Sequence, residues 1–432
     1  MLKRDVAFLL KEYEKIYNRQ EQKFKKSLER VTAALHCMPV DRVPVIQASK
    51  TILYPRHEIF YSREKNLISQ LANIVLTVSH ETDYVPYLDP FEGVTILAEA
   101  FGCKVIIPEN GDPAVKEPIV NKPDDVYELK KPGPDSPVYK RIFETLKYFG
   151  EKTGYQIPVG ATDPQGPLDI ASLIWNNQDF LVSCIKYKKE VHHILNLITE
   201  SFIEFYKAQY DMIKNKAFPV HSFPLVSTCD GISISDDQAT LLSPQLFKEF
   251  GVPYLNRISA AFGGLYYHTC GDLGHILDDV LSIDNLRAIN IHFSPLESKP
   301  EYIEKIVSKN IGLYLGITDR EVGWQSPKWS INDTDKMYEE YYLPSAIRYS
   351  RGRGIALVGY GSYFGYIDID EDKGGSNSLF NGDFFNKKFI NLSTDDKNNN
   401  FKKIGVLIKK EMAKTTGDDF SFNKDYYFYA QK

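Results

Sequence analysis

Gly264-Leu265-Tyr266-Tyr267-His268-Thr269-Cys270-Gly271-Asp272 is an aromatic, strand-like run that ends abruptly in His-x-Cys-Gly. Ile276-Leu277-Asp278-Asp279-Val280-Leu281 follows it with the character of a helix. A strand that hands over to a helix within a few residues is one β–α unit. Side chains alternate between the two faces of a strand, so His268 and Cys270 leave its end on the same side. Imidazole and thiolate are the donor pair that zinc prefers, and two donors make half a site.

The same unit recurs in both directions. Short apolar runs at 43–47, 84–88, 156–161, 225–230, 264–269, 288–293, 312–317 and 355–358 read as strands. Between them lie helical patterns at 65–80, 136–153, 167–183, 189–216, 243–262, 273–282, 300–309 and 334–352. Eight strand signals alternating with helices predict an α/β fold, a (β/α)8 barrel. Residues 1–36 form a helical extension in this reading, with Leu2, Val6, Leu9, Leu10, Tyr13 and Ile16 at helical spacing. A charged connector around Lys23, Lys25 and Lys26 divides it from a second, shorter helix ending near Leu35. Pro39-Val40-Asp41-Arg42-Val43-Pro44-Val45-Ile46 then turns the chain into the first strand, because proline stops a helix and favours extended backbone. The barrel spans 37–366. Residues 367–432, rich in Asn, Asp, Lys and Gly, read as an irregular C-terminal extension to which no role is assigned.

Composition narrows the function. The 432 residues are 43% hydrophobic and 25% charged, as expected of a soluble globular chain. A net charge of −5 exerts no long-range pull toward nucleic acid or anionic membrane. The start, Met1 to Leu10, is no secretory signal, and no 18-residue apolar stretch occurs, so the expectation is a cytoplasmic protein without a membrane span. The five cysteines, Cys37, Cys103, Cys184, Cys229 and Cys270, are scattered without a C-x-x-C pair. That pattern argues against a disulfide framework and excludes a four-cysteine zinc module.

If His268 and Cys270 hold a metal, further donors must come from other strand ends. Asp236 and Asp237, in Ser235-Asp236-Asp237-Gln238, follow the 225–230 run, and Glu249 sits on the next helix. Cys229 is a further candidate, although a lone cysteine of this kind reads first as a small buried hydrophobe. The aspartates could instead cap the helix before Ser243-Pro244, and Glu249 could be a solvated helix residue. Asp319, after Gly316-Ile317-Thr318, could orient a substrate or a ligating histidine, or cap a loop. His275 and His292 read as supporting or surface residues, and His192-His193 as a surface pair without an acidic partner. Gly359-Tyr360-Gly361-Ser362 lacks the P-loop lysine and the dinucleotide spacing, so nucleotide binding is discarded.

Several segments in order resemble the uroporphyrinogen decarboxylase family of (β/α)8 barrels. They are Arg30-x-x-Ala33-Ala34-Leu35 with Pro39–Val45, Glu99-Ala100-Phe101-Gly102-Cys103, Gly166-Pro167, and Leu242-Ser243-Pro244 with Glu249-Phe250 and Pro253. His268-x-Cys270-Gly271 and Gly316-x-x-Asp319 complete the series. The family includes cofactor-free decarboxylases of tetrapyrrole synthesis and zinc-dependent methyltransferases that exchange methyl groups with a corrinoid. The decarboxylases carry an arginine-rich segment after the first strand; here that segment reads Ile46-Gln47-Ala48-Ser49-Lys50-Thr51. Asp89 resembles their pyrrole-binding aspartate. The thiol-specific methyltransferases supply another cysteine near the last strand, but this chain has none after Cys270, and Tyr360 stands in the corresponding run.

The resemblance therefore implies zinc-assisted methyl transfer to or from a corrinoid carried by a partner protein, with a small methylated substrate or a thiol as the other reactant. His268 and Cys270 would hold Zn2+, with Asp237 or Glu249 completing the site, and Asp319, Tyr360 and Asp89 are the candidate catalytic residues. Two alternatives stand beside it: a uroporphyrinogen decarboxylase-like enzyme of tetrapyrrole synthesis, and a non-catalytic corrinoid- or tetrapyrrole-binding protein.

Overall fold

The structure is a computed structural model that describes residues 2–48, 54–78, 82–109, 111–219, 225–228, 231–291, 301–317, 348 and 353–360. Its centre is a six-stranded parallel sheet of β1 (Val45–Ala48), β6 (Ile232–Ser235), β7 (Leu265–Thr269), β8 (Leu286–Ile291), β9 (Gly312–Ile317) and β10 (Ile355–Tyr360). Two short antiparallel pairs lie outside it: β2 (Lys104–Ile106) with β3 (Ala114–Glu117), and β4 (Phe218–Pro219) with β5 (Val226–Ser227). The order in the large sheet is β1-β10-β9-β8-β7-β6, so the last strand returns to lie beside the first. Parallel bridges Leu88–Val159, Val159–Lys216 and Gln165–Ser235 add further strand-like contacts.

Parallel strands need helical crossovers, and buried strands read as apolar throughout. Leu265–Thr269 is buried at every position, and helices such as Val252–Phe262 and Glu301–Ser308 fill the connections. The fourth strand signal is corrected by one turn of chain. Val226–Ser227 is only a two-residue antiparallel piece, and the strand that joins the sheet is Ile232-Ser233-Ile234-Ser235. Gly231 separates them at φ 142°, a backbone state that glycine adopts without cost.

The N-terminal extension is one unbroken helix, Leu2–Leu35, not two. Lysine is a good helix former, and Lys25 and Lys26 sit exposed while Phe24 and Ser27 point inward. Val6, Leu9, Tyr13, Val31 and Leu35 join the main core, and Tyr17 stacks on Phe24 with ring centroids 5.2 Å apart. At its C-terminal end Arg30 grips Asp41 through two bonds of 2.6 and 2.8 Å and reaches Asp83 at 2.5 Å. Among the described residues, no helix is long and apolar enough to cross a membrane.

Candidate metal centre

Register assembles the site. Ser235, His268, Asn290 and Tyr314 are lateral neighbours across β6, β7, β8 and β9, so their side chains share one face of the sheet. His268 is 1% exposed, whereas Cys270, one residue beyond the strand, is exposed. Period 2 brings the two donors together as the sequence predicts: His268 Nε2 lies 3.3 Å from Cys270 Sγ. Gly271 lets the chain leave closely, since a Cβ there would meet Thr240 Oγ1 at 2.5 Å.

Asp237 opens the short 3₁₀ helix Asp237–Leu241 directly after β6. Its Oδ1 accepts from the Cys270 backbone N–H at 2.6 Å. One donor atom each from Asp237, His268 and Cys270 lies within 4.8 Å of the others. A carboxylate, an imidazole and a thiol at that spacing match the donor types of catalytic zinc, which keeps one position open for a reactant.

A second layer holds Asp237. Asp169 Oδ2 and Oδ1 accept from the backbone N–H groups of Asp237 and Gln238 at 3.0 and 2.8 Å. In return Asp236 Oδ1 accepts from the Asp169 N–H at 3.3 Å, near the start of helix Pro167–Ile174. Each carboxylate thus satisfies backbone donors at the other's helix start. Gly166 makes the approach possible, because a Cβ would lie 2.7 Å from Asp236 Cγ.

Electrostatics follow from burial. Burial pushes the Asp169 carboxyl up to about 8, with the charge of Asp237 adding to it. Asp236, fully buried, is raised well above the ordinary carboxylate range by burial and then by Asp169. Its Oδ2 has no hydrogen-bond partner among the described residues. Two adjacent carboxyls in a dry site resist simultaneous ionisation, and a bound cation would relieve that resistance.

The remaining candidates are dispersed. Glu249, on helix Pro244–Phe250, pairs with Lys188 at 2.6 Å and lies 3.8 Å from His192, outside the three-donor cluster. His192 is accordingly a half-buried residue with an acidic neighbour, not a bare surface histidine; it also bonds Tyr254 Oη at 2.7 Å. His275 Nε2 is 2.8 Å from the Leu242 carbonyl. Asp89 follows the Leu88 bridge, and Gln70 holds its backbone at both N–H and carbonyl. Tyr360 ends β10, its backbone paired with Ala48 of β1. Asp319, Cys229 and His292 lie outside the described residues.

Sequence reading passed over Asn290 and Asp169. Asn290 stands two residues after Ala288 on a strand already read as such, and Asp169 follows Gly166-Pro167. Both sit on recognised segments, but an amide in a strand and a carboxylate in a first helical turn carry no distinguishing local signal.

The uroporphyrinogen decarboxylase (URO-D) family model matches residues 26–295. Methylcobamide:CoM methyltransferase MtaA of Methanosarcina barkeri is 26% identical over 269 residues, 58% of this chain and 71% of that protein. Methylcobamide:CoM methyltransferase MtbA of Methanosarcina acetivorans is 24% identical over 257 residues, 56% of this chain and 70% of that protein. A methyltransferase structure from Methanosarcina mazei superposes with a TM-score of 0.56 at 21% identity, covering 78% of this chain and 92% of that one; this likeness concerns the fold.

Proposed function

This chain belongs to the uroporphyrinogen decarboxylase family, and from that premise we propose that it is a corrinoid-linked methyltransferase whose metal donors are Asp237, His268 and Cys270. The observation that carries the reading is the meeting of those three donors at the C-terminal ends of parallel strands, where enzymes of this architecture place their chemistry. The methyltransferase names of the relatives support the same branch. The fold reading extends to a closed (β/α)8 barrel, with the partner's corrinoid approaching over the exposed Cys270 side.

Zinc held there would supply Lewis acidity, keeping a thiol ionised at neutral pH or polarising a methyl donor. The protein's own residues do the positioning. Cys270 and His268 are fixed by β7, and Asp237 takes the part that the late cysteine plays in thiol-specific relatives. Its Oδ1 accepts from the Cys270 backbone N–H, which holds the carboxylate beside the residue that bears the thiol. A methylcorrinoid on a partner would supply the methyl group, and Asp237, His268 and Cys270 would hold the zinc that keeps the accepting thiol ionised. The buried carboxyls Asp169 and Asp236 hold this corner in shape through the backbone N–H groups they accept from.

The test is metal content together with turnover. Protein purified without chelators should hold about one zinc per chain, lost in His268→Ala and Cys270→Ala. It should also move methyl from methylcobalamin to a thiol. Wild-type protein that takes up no zinc when offered it would sink the metal mechanism.

A further inference from the structure

The amide of Asn290 has one orientation available. Its Nδ2 donates to the Tyr314 backbone carbonyl at 2.6 Å, and a carbonyl can only accept. Oδ1 therefore faces the other way, against His268 Nδ1, and both side chains are about 1% exposed, so no solvent competes. An amide oxygen can only accept, so Nδ1 of His268 must carry the proton. In the neutral form of the ring the lone pair is then on Nε2, the nitrogen 3.3 Å from Cys270 Sγ and inside the Asp237–His268–Cys270 cluster.

We propose that Asn290 is the positioning residue that locks His268 as the Nδ1–H tautomer and aims its Nε2 lone pair at the metal position. This rests on the zinc reading above and deepens it. The lock is anchored on main chain: the Tyr314 carbonyl fixes Asn290, and Asn290 fixes the ring. Because β7, β8 and β9 are in register at His268, Asn290 and Tyr314, the relay runs straight across three strands. It leaves the ring neither a flip nor a tautomer change without breaking a buried hydrogen bond, and hydrogen-bonded partners of this kind raise a ligand's affinity for metal.

The experiment is nitrogen-15 NMR of the histidine-labelled, metal-stripped full-length chain, with His268→Gln assigning the signal, beside zinc affinity by chelator competition. The expected wild-type spectrum shows His268 protonated on Nδ1. Asn290→Ala should populate the Nε2–H tautomer and weaken zinc binding roughly 10–100-fold. Asn290→Asp, which keeps an acceptor toward Nδ1, should retain the Nδ1–H tautomer. A wild-type ring protonated on Nε2 would overturn the proposal, as would an alanine variant with tautomer and zinc affinity unchanged. If Asn290→Ala does not fold, the wild-type tautomer still decides. Should the tautomer be as expected but zinc not bind, the hold of Asn290 on the ring stands and the metal reading of the site fails.

Discussion

Two regions bury carboxylates in opposite ways. At the foot of the N-terminal helix, Asp83 is 1% exposed and accepts from Arg30 at 2.5 Å, from Arg42 at 2.5 and 2.9 Å, and from Ser27 at 3.2 Å. Its charge is met by two guanidinium groups. At the ends of β6 and β7, Asp236 is equally buried, yet it meets the backbone N–H groups of Asp169, at 3.3 Å, and Leu168 in place of a cation, and its Oδ2 has no hydrogen-bond partner among the described residues. Asp41, in the first region, lies below the ordinary carboxylate range: burial raises it, and the hydrogen bond and charge of Arg30 outweigh burial. Asp169, in the second, is raised. The first arrangement is a complete clamp. The second is built from carboxyls that burial pushes toward the neutral form beside metal-donor side chains, which is the expected form of a site whose counter-charge arrives with a ligand.

The largest effect should come from breaking the clamp. Arg30→Ala leaves Asp83 short of a cation and frees Asp41, and loss of one partner from a buried ion pair costs about 3–5 kcal/mol. Urea unfolding checks this, and the folded fraction should still bind zinc normally. If Arg30→Ala abolished zinc binding in folded protein, the two regions would not be independent.

Asp169→Asn tests the second layer. An asparagine can accept from only one of the two N–H groups at Asp237 and Gln238, so zinc should bind roughly 10-fold more weakly or worse. Unchanged affinity by chelator competition would show that Asp237 holds its place without help. Gly166→Ala should distort the same contact, since the new methyl would collide with Asp236. Overpacking of this kind costs roughly 1–3 kcal/mol, and the loss should show in thermal melting together with weaker metal binding.

The clamp should also carry an acid limb. The folded-state pKa of Asp41 is lowered, so its contribution is present above its unfolded pKa, about 3.9, and lost as pH falls through the folded value. Asp41→Asn should give a flatter fall in unfolding free energy on acidification; an identical profile would remove Asp41 from the account. Glu249→Gln should do least. It breaks a partly exposed pair with Lys188, a change of about 0.5 kcal/mol or less, and zinc affinity should not move.

Much of the architecture was legible in local pattern. The aromatic run of β7, its abrupt stop and the following helix announce a β–α unit, and strand alternation alone puts His268 beside Cys270. Other readings failed where local signals compete. Lys23, Lys25 and Lys26 read as a connector, but lysine tolerates helix, and the buried faces of Phe24 and Ser27 carry the helix through. The 225–230 run is apolar enough to be a strand, yet the residues that pair with β7 begin after Gly231.

Sequence by itself determined the α/β class, the strand end that bears the imidazole and thiol, and a shortlist of acidic partners, because these depend on periodicities spanning a few residues. Tertiary structure alone decided which partners count. Asp237 meets Cys270 across 33 positions, Asn290 meets His268 across 22, and Asp169 holds Asp237 across 68. Glu249 is turned instead toward Lys188, 61 positions away. Such contacts are set by how strands register and helices pack over long loops of chain, and no local propensity encodes that choice between neighbours as alike as Asp236 and Asp237.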